Sequence, residues 1–192
     1  METKNDHTLL LYESLDRGLL TLYQQGKERQ QQQCIFLAGM CQGLPAAMGK
    51  VQLQETWSSI GLQWHSQLPR PVLHWLDHAF THYKQQKAFA EEPRDTMKDL
   101  SDLSVSEQRS WLHWLLFFAL LEIRVEAYET QNREIFSLAD TFHLLPLQLE
   151  RRWKQKLPTS EILADLRRRA QQRGYDDWLE QMIKEVTSSW SH

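Results

Sequence analysis

The sequence predicts an all-α protein, and three observations carry that reading. Apolar residues recur three and four positions apart through almost the whole chain, the mark of amphipathic helices. Helix punctuation recurs between those stretches: prolines in first turns, Gly174 as a stop, and Ser104 with Glu107 as a capping box. Only Val51-Gln52-Leu53-Gln54 alternates like a strand, and a lone strand leaves its backbone groups without partners.

Leu9, Leu10, Tyr12, Leu15, Leu19, Leu22 and Tyr23 place a helix over residues 6–25, weakened at Gly18 and stopped at Gly26. A second helix over 28–42 carries Gln30–Gln33 as a solvated face, then Cys34, Phe36, Leu37, Met40 and Cys41. Gly43 and Pro45 break the chain, and Met48, Val51, Leu53, Trp57, Ile60 and Trp64 favour a helix over 46–64. Pro69 and Pro71 open the next helix, 71–88, with proline in its preferred first turn. The polar stretch from Glu91 to Asp102 predicts a long loop or hinge over 89–104. The capping box then starts a helix over 105–128 whose middle is apolar on every side, so it should be the central and most buried element. Shorter helices follow over 131–143, 146–156, 160–173 and 176–190, with Pro146 and Asp176/Asp177 in first turns. One domain over 1–192, of seven to nine helices, is the expectation.

Composition narrows the function classes. The 192 residues carry 22 Lys and Arg against 25 Asp and Glu, a net charge of -3, which does not suit a dedicated nucleic-acid binder. Two cysteines are too few for a disulfide framework or a four-cysteine zinc module. Cys34 and Cys41, seven apart on a helix, are separated by about 10 Å, too far for a disulfide. The start, Met1 to His7, lacks a basic leader segment, and the longest apolar run, Trp111 to Leu121, is about half a membrane span. These features predict a cytoplasmic protein with reduced, buried thiols and no transmembrane segment.

Three clusters carry candidate chemistry. His74, His78 and His82 repeat every four residues on the side of their helix away from Val72, Leu76, Ala79 and Tyr83, so they face solvent or a partner. A pair such as His74/His78 can hold one metal ion, with nitrogens about 2.0–2.1 Å from it; His74 and His82, about 12 Å apart, cannot share one. Glu122, Glu126 and Glu129 follow the apolar run on one face and supply a second candidate ligand set, Glu122 and Glu126. The plainer reading is that the helix leaves the core after Leu121 and its end is solvated. The chain has no Glu-x-x-His pair of the di-iron kind. Residues 146–173 gather eight basic against three acidic groups, including Arg151, Arg152, Arg167 and Arg168, around Trp153. That segment, 151–173, is a candidate phosphate or acidic-partner surface. Arg167 to Arg169 span most of a helical turn, however, and the acidic 91–107 stretch offers a counter-charge.

No nucleophile elbow, phosphate loop or zinc-protease motif is present, and the reading leans away from an enzyme, with no cofactor implied. Eight tryptophans are the positive signal, since exposed tryptophans anchor interfaces; Trp153, Trp178 and Trp190 are the partner-facing candidates.

The stretch Trp114-Leu115-Leu116-Phe117-Phe118-Ala119-Leu120-Leu121-Glu122-Ile123-Arg124-Val125-Glu126-Ala127-Tyr128, then Glu134-Ile135-Phe136-Ser137-Leu138-Ala139-Asp140 and Leu144-Leu145-Pro146, resembles the TerB-like helical family. That family includes tellurite-resistance proteins and a region of DjlA-type co-chaperones. The resemblance covers residues 114–153 and implies a helical fold. It carries over no site residues, because the family's Asp-Gly turn is replaced here by Ala127-Tyr128. The leading expectation is a non-catalytic adaptor, assembly factor or regulator that contacts another protein, with self-association left open. A metal-binding helical protein and a nucleic-acid-binding regulator are the alternatives.

Overall fold

The computed structural model describes residues 4–50, 67–90, 104–154 and 157–190. Of the helix expected over 46–64, residues 51–64, with Trp57 and Trp64, lie outside them, as does the stretch 91–103. Among the described residues the chain is all-α, with no strand. Its helices are α1 (Lys4–Arg29), α2 (Gln32–Cys41), α3 (Leu44–Gly49), α4 (Arg70–Ala90), α5 (Val105–Glu129), α6 (Arg133–Phe142), α7 (Leu145–Trp153), α8 (Thr159–Arg173) and α9 (Asp176–Ser189). None of them is long and apolar enough to cross a membrane.

Two helices organise the packing. The α1 face made by Leu11, Leu15, Leu19 and Leu22 is completely buried, and α1 packs against α2, α3, α6, α8 and α9. Helix α5 packs against α2, α4, α6 and α7. Gly18 lets α1 approach α6 closely, since a Cβ there would sit 2.8 Å from the Phe142 ring.

Several helix ends differ from the sequence reading. Gly26 does not stop α1, which runs three residues further with Gly26 buried against Cys34. The stop is Gln30, at φ 56°, with Gln31 N–H donating 2.9 Å back to the Gly26 carbonyl. Gln131 ends α5 the same way at φ 57°, with Asn132 N–H 2.8 Å from the Ala127 carbonyl. Both are left-handed caps that glycine usually fills, so sequence alone gave no sign of them. Pro45 is not a break but sits in the first turn of α3, behind Gly43 at φ 85°. The expected hinge begins later than residue 89, because α4 continues through Ala90. The capping box forms as expected: Ser104 Oγ accepts from Glu107 N–H, and the Glu107 carboxylate accepts from Ser104 N–H at 2.7 Å.

Candidate functional site

Helix α5 presents two apolar faces. Leu112, Leu116, Ala119, Leu120 and Ile123 are completely buried, and Ala127 nearly so. The helix therefore stays on the core past Leu121, contrary to the expectation that it leaves there. The other face carries Trp114, Phe118, Leu121, Val125 and Tyr128, spaced four, three, four and three apart over about 21 Å. The helix is central as expected, and on this side Trp114, Phe118 and Leu121 are half-buried. Helix α4 covers its first turns, through Tyr83 against Trp114 at 6.3 Å and His82 edge-on to Phe118 at 5.5 Å. Beyond Leu121 the cover ends: Val125 is 43% and Tyr128 74% exposed. Glu122 and Glu129 border the stripe on one side and Arg124 on the other. At its Tyr128 end lies an open groove of about 550 Å³, lined also by Arg133, Phe136 and Arg173.

The carboxylate candidates have a structural neighbour. Glu126 accepts hydrogen bonds from the backbone N–H groups of Gln33 and Cys34. Those are first-turn donors of α2, whose own N-cap residue, Gln31, makes no side-chain cap. Burial raises the Glu126 pKa despite those bonds, and Glu122 and Glu129 add to the rise. Burial likewise pushes the Cys34 thiol up to about 12, helped by the nearby Glu126 charge. Cys41, completely buried, also rises to about 12.

The histidines keep to α4. His74, His78 and His82 are exposed, and the Nε2 atoms of His74 and His78 lie 3.2 Å apart. His82 Nε2 lies 3.2 Å from Gln86 Nε2. These histidines do not gather with Glu122 or Glu126: among the described residues no group of three or more His, Cys, Asp or Glu is placed to hold a metal ion.

The basic segment is largely paired within itself and with α6 and α9. Arg167 meets Glu180 at 2.7 Å, Arg168 and Arg169 both meet Asp165, and Arg173 reaches Asp140 at 2.6 Å. Lys154 meets Glu150 at 3.0 Å, and Arg152 donates to Thr159 Oγ1 at 2.8 Å. Burial opposes ionisation of Asp165, yet hydrogen bonds from Arg169, Gln148 and Arg168 hold its pKa down at about 2. Arg151 is exposed. Of the three tryptophans, Trp178 stands edge-on between Phe142 and Tyr175, and Trp153 lies under the Arg109 guanidinium at 5.4 Å. Trp190, at the end of α9, is 37% exposed.

No family model matches the chain, and no curated protein or solved structure is significantly similar to it.

A buried polar loop joins the two organising helices, and only the lone histidine in an apolar run hinted at it. His113 Nδ1–H donates to the Arg109 carbonyl at 2.9 Å, which leaves Nε2 to accept the Tyr12 hydroxyl proton at 2.7 Å. Arg109 closes the loop, donating at 3.2 Å to both Tyr12 Oη and the Met48 carbonyl. Burial, reinforced by the Arg109 charge, lowers the His113 pKa to about 3. Next to it, Ser110 Oγ donates to the Glu150 carboxylate and so ties α5 to α7. Tyr12, Ser110 and His113 are at most 3% exposed, so their polar atoms join helices and are closed to a substrate.

Proposed function

We propose that the protein is a helical adaptor that docks an amphipathic helix of another protein along Leu121, Val125 and Tyr128, past the end of the cover that α4 gives to Trp114 and Phe118. The observation that supports this reading is the second apolar face of α5. A helix that is apolar all round belongs in an interior, and this one lacks core packing on its outer side beyond Leu121. Alternating steps of four and three make the narrow seam into which a second helix fits knobs-into-holes. The borders select that helix: Glu122 and Glu129 favour Lys or Arg along one flank, while Arg124 on the other is already paired with Asp140 at 2.8 Å. A second copy crossing antiparallel would set these glutamates against their own equivalents, which favours a different chain as the partner. The reading places the protein in the cytoplasm. The TerB-like resemblance of residues 114–153 enters it as a helical scaffold alone.

The test uses a synthetic helical peptide with leucines at the same spacing and lysines along one flank, followed by fluorescence anisotropy. Saturable binding to the full chain is expected, weakened about tenfold or more by Val125→Asp or Leu121→Asp. Helix content by circular dichroism should stay unchanged in both variants. Absence of saturable binding, or equal affinity for the variants, overturns the proposal. So does a sedimenting dimer that Val125→Asp dissociates, which would give the face to a second copy.

A further inference from the structure

We infer that His74 and His78 form a two-histidine chelate for a divalent d-block cation on the outer face of α4. Residues four apart on a helix stand one above the other, which brings the two imidazoles into reach of one ion. Side-chain geometry makes the argument specific. The rings stand nearly perpendicular, with centroids 4.6 Å apart, and turn the same nitrogen toward each other, Nε2 to Nε2 at 3.2 Å. Two nitrogens bound about 2.0–2.1 Å from one ion, at angles from square to tetrahedral, lie about 2.9–3.4 Å apart. The pair already sits inside that interval, so an ion can replace the N–H···N contact once each exposed ring turns its Nε2 lone pair toward it.

Both side chains are exposed, so the ion reaches them from solvent and water completes its coordination. His82 turns to Gln86 and Phe118 and stays outside the pair. The donor set is two neutral imidazoles without a carboxylate, which suits Zn²⁺, Ni²⁺ or Cu²⁺ and not Mg²⁺ or Ca²⁺. Two protein ligands leave most positions open, so the site exchanges its ion readily and is not a closed structural centre. Binding also bridges consecutive turns of α4 and stabilises the folded chain by mass action.

The experiment titrates the full, untagged chain with Cu²⁺, read by calorimetry and by electron paramagnetic resonance. One strong equivalent with two nitrogen ligands is expected, with a rise in Tm. His74→Ala and His78→Ala should each weaken binding about a hundredfold, because the second ligand's binding is then no longer intramolecular. His82→Ala should leave it unchanged. Both replaced side chains are exposed, so unchanged circular dichroism spectra separate lost ligation from lost fold. Unchanged affinity in His74→Ala and His78→Ala overturns the site, as does no binding by the wild-type chain. A loss in His82→Ala equal to that in His78→Ala overturns it as well, by moving the ion one turn along the helix.

Discussion

Replacing His113 by glutamine tests the polar loop between α1 and α5 through its pH dependence. In the folded chain Nε2 must accept the Tyr12 proton while Nδ1–H is committed to the Arg109 carbonyl. Burial strips a charged ring of its water, and a second ring proton would have no acceptor and would face the Arg109 charge; together these lower the pKa to about 3. The unfolded chain holds the same imidazole near about 6.5. Folded His113 thus binds its proton less tightly, so its contribution is fully present above pH 6.5 and is lost as the pH falls toward 3. Between pH 7 and 4.5 the loss is about 2–3 kcal/mol. His143, whose pKa burial also lowers, acts in the same direction, whereas Asp16 and Glu126, raised by burial, act in the opposite one. Asp165, held at about 2, contributes at both pH values and loses that contribution only as the pH falls below about 4 toward 2. All four remain in His113→Gln, whose amide oxygen can still accept from Tyr12. Urea midpoints of both proteins at pH 7 and 4.5 therefore isolate His113. The variant starts less stable and loses about 2–3 kcal/mol less on acidification. Parallel losses in the two proteins would refute the assignment of the buried, neutral histidine.

Gly18→Ala should cost about 1–3 kcal/mol in urea unfolding, because its methyl group would meet the buried Phe142 ring at 2.8 Å. Gln131→Gly should raise Tm, with a gain of up to about 1 kcal/mol from relief of a left-handed backbone at φ 57°. Glu126→Ala should cost about 1 kcal/mol and loosen the start of α2, read as faster amide exchange at Gln33 and Cys34. Asp140→Ala should cost about 1–3 kcal/mol, since Arg124 at 2.8 Å and Arg173 at 2.6 Å lose their shared partner but keep some access to water.

Local signals were legible where one residue type does one physical job. Ser104 with Glu107, Gly174 at φ 75° and the first-turn prolines mark helix ends because alternatives there are costly. The same rule misled at Gly26, where glycine serves close packing against Cys34, and at Gln30 and Gln131, where glutamine takes the left-handed cap. A composition-based patch misled differently. Residues 146–173 look like a cationic surface in one dimension, but Asp165, Glu180, Asp140 and Glu150 come from the same turns or from helices folded onto them. Charge along a chain fixes the supply of cations. Pairing is decided by which carboxylates the fold brings within about 4 Å.

The same gap between pattern and packing explains the α5 face. Apolar residues on every side of a helix say that every side avoids water, and a single chain offers no rule that it must supply all the cover itself. Around α5, α2 and α6 take the two flanks, α7 and the Tyr12–His113 contact with α1 take the inner side, and α4 reaches only the first turns of the outer side. Phe136 meets Tyr128 at 6.2 Å from one side, yet Val125 and Tyr128 stay largely open. Burying those two side chains and the exposed part of Leu121 would contribute about 2–4 kcal/mol to any complex that covered them. That is enough to choose the face, but not to hold a partner alone against the cost of association. The remaining affinity has to come from the borders, through Glu122 and Glu129 on one side and the Arg133 groove on the other. A partner peptide with its seam intact and its flanking lysines replaced by glutamates should therefore lose most of its binding, and retention of full affinity would show that the borders take no part.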